Sequence, residues 1–275
     1  MRETAISSRP LFFTLTASAL ILAACGPEKA APGKPDRDAA EHHPAPILPD
    51  SPAPTLTRSN LLQAMDVAAA AYAAGQEVRG SSLVGRRFAV RQSFGCSGPT
   101  RTPGEANVPD GLPDWSRDER RQAEKLTLAP VDWTGASFMD AGSDDWEAVE
   151  GFWLTRPWMR ADGCPRSETA PPNTDHAGSS PQTAGLAAVF EEDGSRLGRR
   201  NGRAYQFTLR DHGDQAASSY RLVLEGRMTS FANGQAIRCH AAGIDQRPVC
   251  IGAVKLDRVA FEDAGGKTLS EWVGG

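Results

Sequence analysis

The feature that most constrains the fold of this chain is an alternation of apolar and polar residues with a period of two. It is clearest in "AYQFTLR", where Tyr205, Phe207 and Leu209 alternate with polar residues. "RFAVRQSF" and "YRLVLEGRM", which begin at Arg87 and Tyr220, follow the same pattern. Half-buried antiparallel strands produce it, because successive side chains point to opposite faces of a sheet. The sequence therefore predicts a domain that is mainly β.

Five more apolar stretches are candidate strands: Lys125–Trp133, Val149–Met159, Leu186–Glu191, Ala236–Cys239 and Cys250–Phe261. The first changes phase across Pro130, and the last changes phase between Leu256 and Val259, which predicts a break or a bulge at each point. The sequence thus predicts about eight strands, which is typical of an antiparallel β-sandwich or barrel. The pattern does not decide between a sandwich and a barrel.

One helix is expected before the strands, because apolar residues from Leu61 to Tyr72 recur at helical spacing. Ser59 or Asn60 is predicted to cap it and Gly75 to end it. Residues 97–124 are polar and are predicted to form a long loop.

Four cysteines lie in this predicted domain: Cys96, Cys164, Cys239 and Cys250. An even number of cysteines indicates disulfides in an exported chain, and the N-terminus described next predicts export. We expect Cys239 to pair with Cys250 across a hairpin tip, which leaves Cys96 to pair with Cys164. A metal site is the alternative, but the cysteines lack C-x-x-C spacing and have a single adjacent histidine, His240.

The N-terminus has the marks of a secretory signal. Arg2 and Arg9 precede an uncharged core, Leu11 to Ala24. This core is shorter than the roughly 20 residues that a membrane-spanning helix needs. The core ends at Cys25, and residues 26–57 carry eight prolines and little to bury. Such a segment is typical of a linker.

The end of this core, Leu22-Ala23-Ala24-Cys25, resembles the lipobox of bacterial lipoproteins. The resemblance implies lipid on the Cys25 thiol, cleavage before Cys25 and acylation of the new amino group. It implies a signal peptide over 1–24, a lipid anchor and linker over 25–57, and a disulfide-supported β domain over 58–275. Gly26, where an aspartate would retain the protein at the inner membrane, implies the periplasmic side of the outer membrane. An ordinary cleaved signal with an incidental Cys25, or an uncleaved apolar start, is the alternative.

Composition and motifs narrow the possible functions. The formal net charge of −4 predicts no general attraction to nucleic acid. The sequence contains no phosphate-binding loop and no dinucleotide fingerprint, so we expect no cofactor. His176, His212 and His240 lie in no recognised catalytic frame.

An acidic segment and a group of tryptophans are the remaining candidates for a site. "DAGSDDWEAVE" gathers Asp140, Asp144, Asp145, Glu147 and Glu150, which suit a glycan hydrolase, a calcium site or a solvated turn. Five of the six tryptophans lie between 115 and 158. Exposed tryptophan beside arginine can stack on a ligand. The candidate ligand platform consists of Trp133, Trp146, Trp158, Arg156 and Arg160.

These observations predict an envelope lipoprotein whose periplasmic β domain binds a protein partner or cell-wall glycan without catalysis. One alternative is a small glycan-directed hydrolase that uses carboxylates of the segment Asp140–Glu150. The other is a structural assembly factor of an outer-membrane complex, which would need a broad apolar patch or an open sheet edge.

Overall fold

The structure is a computed structural model, and it describes residues 53–78, 80–99, 110–136, 138–139, 146–166, 181–191, 199–210 and 219–274. Over these residues the chain forms one α-helix, α1 (Arg58–Ala73), a 3₁₀ turn (Ser81–Leu83) and twelve strands. The strands are β1 (Leu56–Thr57), β2 (Arg87–Phe94), β3 (Pro113–Asp118), β4 (Ala123–Leu128), β5 (Val131–Asp132), β6 (Trp146–Trp153), β7 (Ala184–Glu191), β8 (Tyr205–Arg210), β9 (Tyr220–Met228), β10 (Ile237–His240), β11 (Val249–Asp263) and β12 (Thr268–Val273).

Nine strands form one sheet in the order β1-β2-β9-β11-β7-β6-β5, with β10 and β12 also paired to β11. β3, β4 and β8 form a second sheet of three strands. Most pairs are antiparallel, but β1 with β2 and β7 with β11 are parallel. The prediction of a mainly β, sandwich-like fold with one helix is confirmed, although the strands exceed the eight expected.

The long strand β11 joins the two halves of the large sheet. Its first part pairs with β7 and β10, and its second part pairs with β9 and β12. The register shifts between Leu256 and Arg258, where the sequence changes phase, so the predicted bulge is confirmed. The predicted break at Pro130 is likewise confirmed, because β4 ends at Leu128 and β5 begins at Val131.

The large sheet buries side chains on both faces. Leu186 and Ala188 of β7 belong to the main core, which α1 and the three-stranded sheet cover. Ala187 and Val189 of the same strand belong to a second, smaller core on the opposite face. Successive side chains of a strand alternate between faces, so β7 reads as a continuous apolar run in the sequence.

The start of the helix differs from the prediction. Thr57 is the N-cap, and its side chain accepts the Asn60 N–H while the Asn60 side chain accepts the Thr57 N–H. This reciprocal capping box satisfies two backbone donors. The expectation that Ser59 or Asn60 caps α1 is therefore wrong by two or three residues. Gly75, with φ of +66°, follows the last turn as predicted.

Both expected disulfides are present. Cys239 and Cys250 are directly opposite each other in the β10–β11 hairpin, as the hairpin-tip argument predicts. Cys96 is bonded to Cys164, 68 residues away. All four sulfurs are therefore occupied, and the alternative of a cysteine metal site is wrong.

Candidate functional site

The five residues of the predicted platform do not form one surface. Trp133 is 3% exposed, and its ring lies in the second core against Trp153, with ring centroids 4.9 Å apart. The ring occupies space that two glycines leave open. A Cβ on Gly151 would stand 2.2 Å from it and a Cβ on Gly185 would stand 2.8 Å from it. Trp133 is a packing residue in this structure, and no ligand can stack on it there.

Trp146 and Trp158 lie at opposite ends of β6. Trp146 begins the strand, is half-buried and packs on Phe231, with 5.6 Å between ring centroids. Trp158 follows the end of the strand, and the seven residue steps from Trp146 to Trp153 alone span about 23 Å. The structure therefore separates these two tryptophans, and it places Arg156 and Arg160 with Trp158.

Trp158 is 59% exposed and sits on a loop that we call the Trp158 loop, residues 155–164. Arg58, the first residue of α1, holds this loop although the side chain of Arg58 is only 1% exposed. Its guanidinium donates to the backbone carbonyls of Met159 (2.7 Å), Ala161 (3.1 Å), Arg156 (3.1 Å) and Thr155. Four carbonyls that face inward thus share one buried cation.

Burial has an electrostatic cost for Arg58. Removal from water lowers the pKa of its guanidinium, and the carboxylate of Asp162 acts in the opposite direction. A buried charge without partners is strongly destabilising. The carbonyl dipoles of the Trp158 loop compensate for the lost hydration, so the loop conformation and the buried Arg58 depend on each other.

Further contacts fix the same loop to β2. The Ser93 carbonyl accepts a hydrogen bond from the Arg156 side chain, and the Ser93 N–H donates to the Asp162 carbonyl at 2.9 Å. Gln92 accepts the Thr155 N–H at 3.0 Å. The disulfide to Cys96 closes the loop at Cys164. Arg156 has a φ of +51°, a left-handed conformation that costs energy for a residue with a Cβ.

Asp66 on α1 connects this loop to a second one. Its carboxylate forms ion pairs with Arg160 of the Trp158 loop and with Arg247, at 3.3 Å, of the segment between β10 and β11. Ile244 of that segment is fully exposed, and Val67, next to Asp66, is 65% exposed. The two ion pairs bring Arg160 and Arg247 together at Asp66, and the exposed Val67, Trp158 and Ile244 lie within three residues of these charged residues in the chain. We call the group of six the Asp66 surface: Asp66, Val67, Trp158, Arg160, Ile244 and Arg247.

The Asp66 surface has the composition of a recognition site. Trp158, Val67 and Ile244 are large apolar side chains on the outside, and the charged groups are ion-paired with each other. Tryptophan and arginine are the residues most enriched where protein interfaces concentrate their binding energy. A loop whose backbone is already fixed loses little conformational entropy on binding.

The acidic segment serves a different purpose where it is described. Glu150 is buried, and its Oε1 accepts the N–H groups of Arg200 and Asn201, both at 2.7 Å. Glu147 forms an ion pair with Arg199 at 3.0 Å. Desolvation raises the pKa of Glu150, and the two backbone donors act against that rise. Both carboxylates thus hold the turn that leads into β8.

Several candidate residues lie outside the described part of the chain. They are Cys25, Asp140, Asp144, Asp145, His176 and His212. Lipid attachment at Cys25 and the hydrolase alternative therefore stay predictions. Among the residues that the structure describes, no helix is long and apolar enough to cross a membrane.

Sequence reasoning missed Arg58, Asp66, Ile244 and Arg247. One signal for Arg58 was present, because a basic residue at the first position of a helix is unfavourable beside the positive end of the helix dipole. A lone isoleucine in the polar stretch "HAAGIDQRPV" is a weaker signal for Ile244. Nothing in the sequence indicates that Asp66 joins two distant loops.

The chain matches no protein-family model. It also matches no curated protein and no solved structure. The sequence and the geometry of the described residues are therefore the basis for inferring the function.

Proposed function

We propose that this chain is a lipid-anchored protein of the cell envelope whose β domain binds a protein partner through the Asp66 surface. The lipobox-type sequence that ends at Cys25 supports the anchor, and residues 26–57 would act as the tether. The two disulfides support an oxidising compartment, because such bonds are rare in reducing cytosol. The periplasmic side of the outer membrane fits both observations.

The observation that carries the proposal is the construction of the Trp158 loop. A buried arginine, a disulfide and a strained residue hold ten residues in place, and the large apolar side chain that this loop exposes is Trp158. An exposed indole gains nothing from such a support unless something contacts it. Preorganised loops with protruding aromatic anchors are typical of binding surfaces.

The other members of the Asp66 surface favour a protein over a glycan as its ligand. Val67 and Ile244 are aliphatic, so they cannot stack on a sugar ring, but they fit the apolar centre of a protein interface. Arg160 and Arg247 would form its polar rim. A structural assembly factor would use the same surface, and the identity of the captured partner separates these two functions.

The test is site-specific photo-crosslinking in the native cells. A photoreactive phenylalanine analogue replaces Trp158, Ile244 or, as a matched exposed control on β12, Val273. We expect one discrete adduct of the same mass from positions 158 and 244 and none from 273. Adding Ile244→Asp to the position-158 variant should abolish its adduct, since a charge would enter the apolar centre.

The proposal is wrong if position 158 gives no adduct, or if its adduct persists unchanged with Ile244→Asp. The anchor is tested separately, by metabolic labelling with an alkyne analogue of palmitate. Label should appear in the wild-type chain and be lost in Cys25→Ala. An unlabelled wild-type chain would overturn the anchor without affecting the proposed interface.

A further inference from the structure

A cleft of about 340 Å³ lies between the end of α1 and β10. Its lining includes Tyr72, Glu77, Phe138, Asn233, Gln235 and His240. We propose that this α1–β10 cleft is a binding site for a short saccharide. None of these residues belongs to the Asp66 surface, so the inference goes beyond the proposed partner interface and does not depend on it.

The base of the cleft is rigid. Ile237 and Cys239 of β10 line it and are buried, and the disulfide to Cys250 fixes Cys239 to the neighbouring strand. Tyr72 of α1 also contacts this strand end, because its hydroxyl accepts the Ala241 N–H at 3.4 Å. The volume is at the lower end of the range found for small-molecule sites, about 300–1,000 Å³.

The two carboxamides are oriented by the backbone. Asn233 Oδ1 accepts the Gln235 N–H at 3.0 Å, and Gln235 Oε1 accepts the Gly80 N–H at 2.6 Å. With each oxygen occupied in this way, each side chain keeps its NH₂ group as a pair of donors. The cleft therefore carries fixed hydrogen-bond donors before any ligand arrives.

Glu77 and His240 supply the complementary chemistry. Neither side chain forms a hydrogen bond or ion pair within the described residues. The Glu77 carboxylate accepts hydrogen bonds, and the imidazole of His240 both donates and accepts in its neutral form. A ligand for this cleft must therefore offer donors and acceptors side by side.

Aromatic side chains give the cleft its apolar surface. Tyr72 and Phe138 both line it, and an aromatic ring packs well on a flat apolar face. A sugar ring has such a face, and its hydroxyl groups donate and accept at the rim. The cleft is also lined by Arg238, whose guanidinium donates to the Met139 carbonyl at 2.9 Å. The combination of aromatic rings, carboxamides, a carboxylate and a guanidinium matches the chemistry of a sugar. The choice of a cell-wall sugar, which carries N-acetyl groups, rests on the proposed envelope location.

The test is isothermal titration calorimetry of the full chain, solubilised in mild detergent with both disulfides formed. The probe is chitotriose, a trimer of N-acetylglucosamine. We expect a Kd on the order of 0.1–1 mM. Asn233→Ala should weaken binding about 3- to 10-fold, the effect of removing one neutral hydrogen bond, and Glu77→Ala should weaken it about 10- to 100-fold, because its bond is charge-assisted.

Trp158→Ala is the matched control, since it alters the other surface, and it should leave the Kd within twofold. The inference is overturned by an absence of heat at 5–10 mM chitotriose, a concentration well above that affinity range, from a chain whose circular dichroism is native. It is equally overturned if Trp158→Ala abolishes binding while Glu77→Ala and Asn233→Ala do not. Neither calorimetric result changes what photo-crosslinking at position 158 would show. The saccharide site and the partner interface can therefore be disproved independently of each other.

Discussion

Trp133 and Trp158 are the same residue type in neighbouring stretches of the chain, yet the first is buried and the second is exposed. Trp133 is buried because Gly151 and Gly185 have no side chains where its ring lies. Trp158 is exposed although Arg58, Arg156 and the Cys96–Cys164 disulfide constrain the backbone of its loop. The position of Trp133 depends on the packing of its side chain, whereas the position of Trp158 depends on bonds to the backbone of its loop.

Under the proposed function, the difference separates a tryptophan that stabilises the fold from one that binds a partner. Removing the ring of Trp133 leaves a cavity in a packed core, whereas removing the ring of Trp158 leaves its loop as it was. What supports Trp158 is the set of contacts beneath it. The two regions can therefore be distinguished by which substitution unfolds the protein and which alters binding alone.

The largest effect is expected from Trp133→Ala. We expect it to lower the free energy of unfolding by about 3–5 kcal/mol, because a large aromatic side chain is deleted from a close-packed site. Urea denaturation measures the loss. Trp146→Ala, at the half-buried edge of the same core, should cost clearly less. Equal losses would contradict the assignment of Trp133 to the interior.

Arg58→Met should follow, with a loss of about 2–4 kcal/mol, because buried carbonyls of the Trp158 loop lose their donor. Hydrogen–deuterium exchange should also rise in peptides that cover residues 155–164. The matched control is Arg86→Met, which removes a guanidinium that donates to the carbonyl of Pro54. Unchanged exchange in the Trp158 loop of Arg58→Met would show that Arg58 does not hold it.

Trp158→Ala should change the free energy of unfolding by about 1 kcal/mol or less, since more than half of the side chain already faces water. The same variant should lose partner binding, as measured by co-purification with the partner that the crosslink identifies. A loss of stability as large as that of Trp133→Ala would make Trp158 a packing residue and remove the contrast.

The smallest effect on stability is expected from Asp66→Asn, about 0.5 kcal/mol, because its two ion pairs are solvent-exposed. Partner affinity should fall, since Arg160 and Arg247 lose the charge that orients them. The fall should diminish in high salt, where exposed ion pairs are screened in the wild-type chain as well. An affinity that is insensitive to this substitution would exclude Asp66 from the interface.

Much of the fold could be predicted because its information is local. The alternation of apolar and polar residues predicted β2, β8 and β9. Changes in the phase of this alternation predicted the breaks at Pro130 and after Leu256. The strands that were missed lack the pattern. β3, "PDWSRD", has one large apolar side chain, Trp115. In β12, "TLSEWV", two polar residues separate Leu269 from Trp272, which breaks the period of two. Predicting a loop over residues 97–124 was therefore wrong for residues 113–118 and for the start of β4 at Ala123.

The candidate site was less predictable, because its determinants are far apart in the chain. Whether Trp133 is buried depends on glycines in β6 and β7, and whether Trp158 is presented depends on Arg58 at the start of the helix. Composition identified the right residue types, including Trp158, Arg156 and Arg160. It could not separate them from Trp133 and Trp146, since burial is a property of the packed sheet.

The position of Arg58 has a mechanical consequence. Leu56 and Thr57 pair with β2 as a strand of two residues, and Arg58 comes next in the chain. Tension applied from residues before 53 would reach this short pairing first and the helix start immediately afterwards. Separation of β1 from β2 would transfer the force to Arg58, which fixes the Trp158 loop. Force on the proposed tether would thus act on β1 and then on the Trp158 loop before it acts on the rest of the domain.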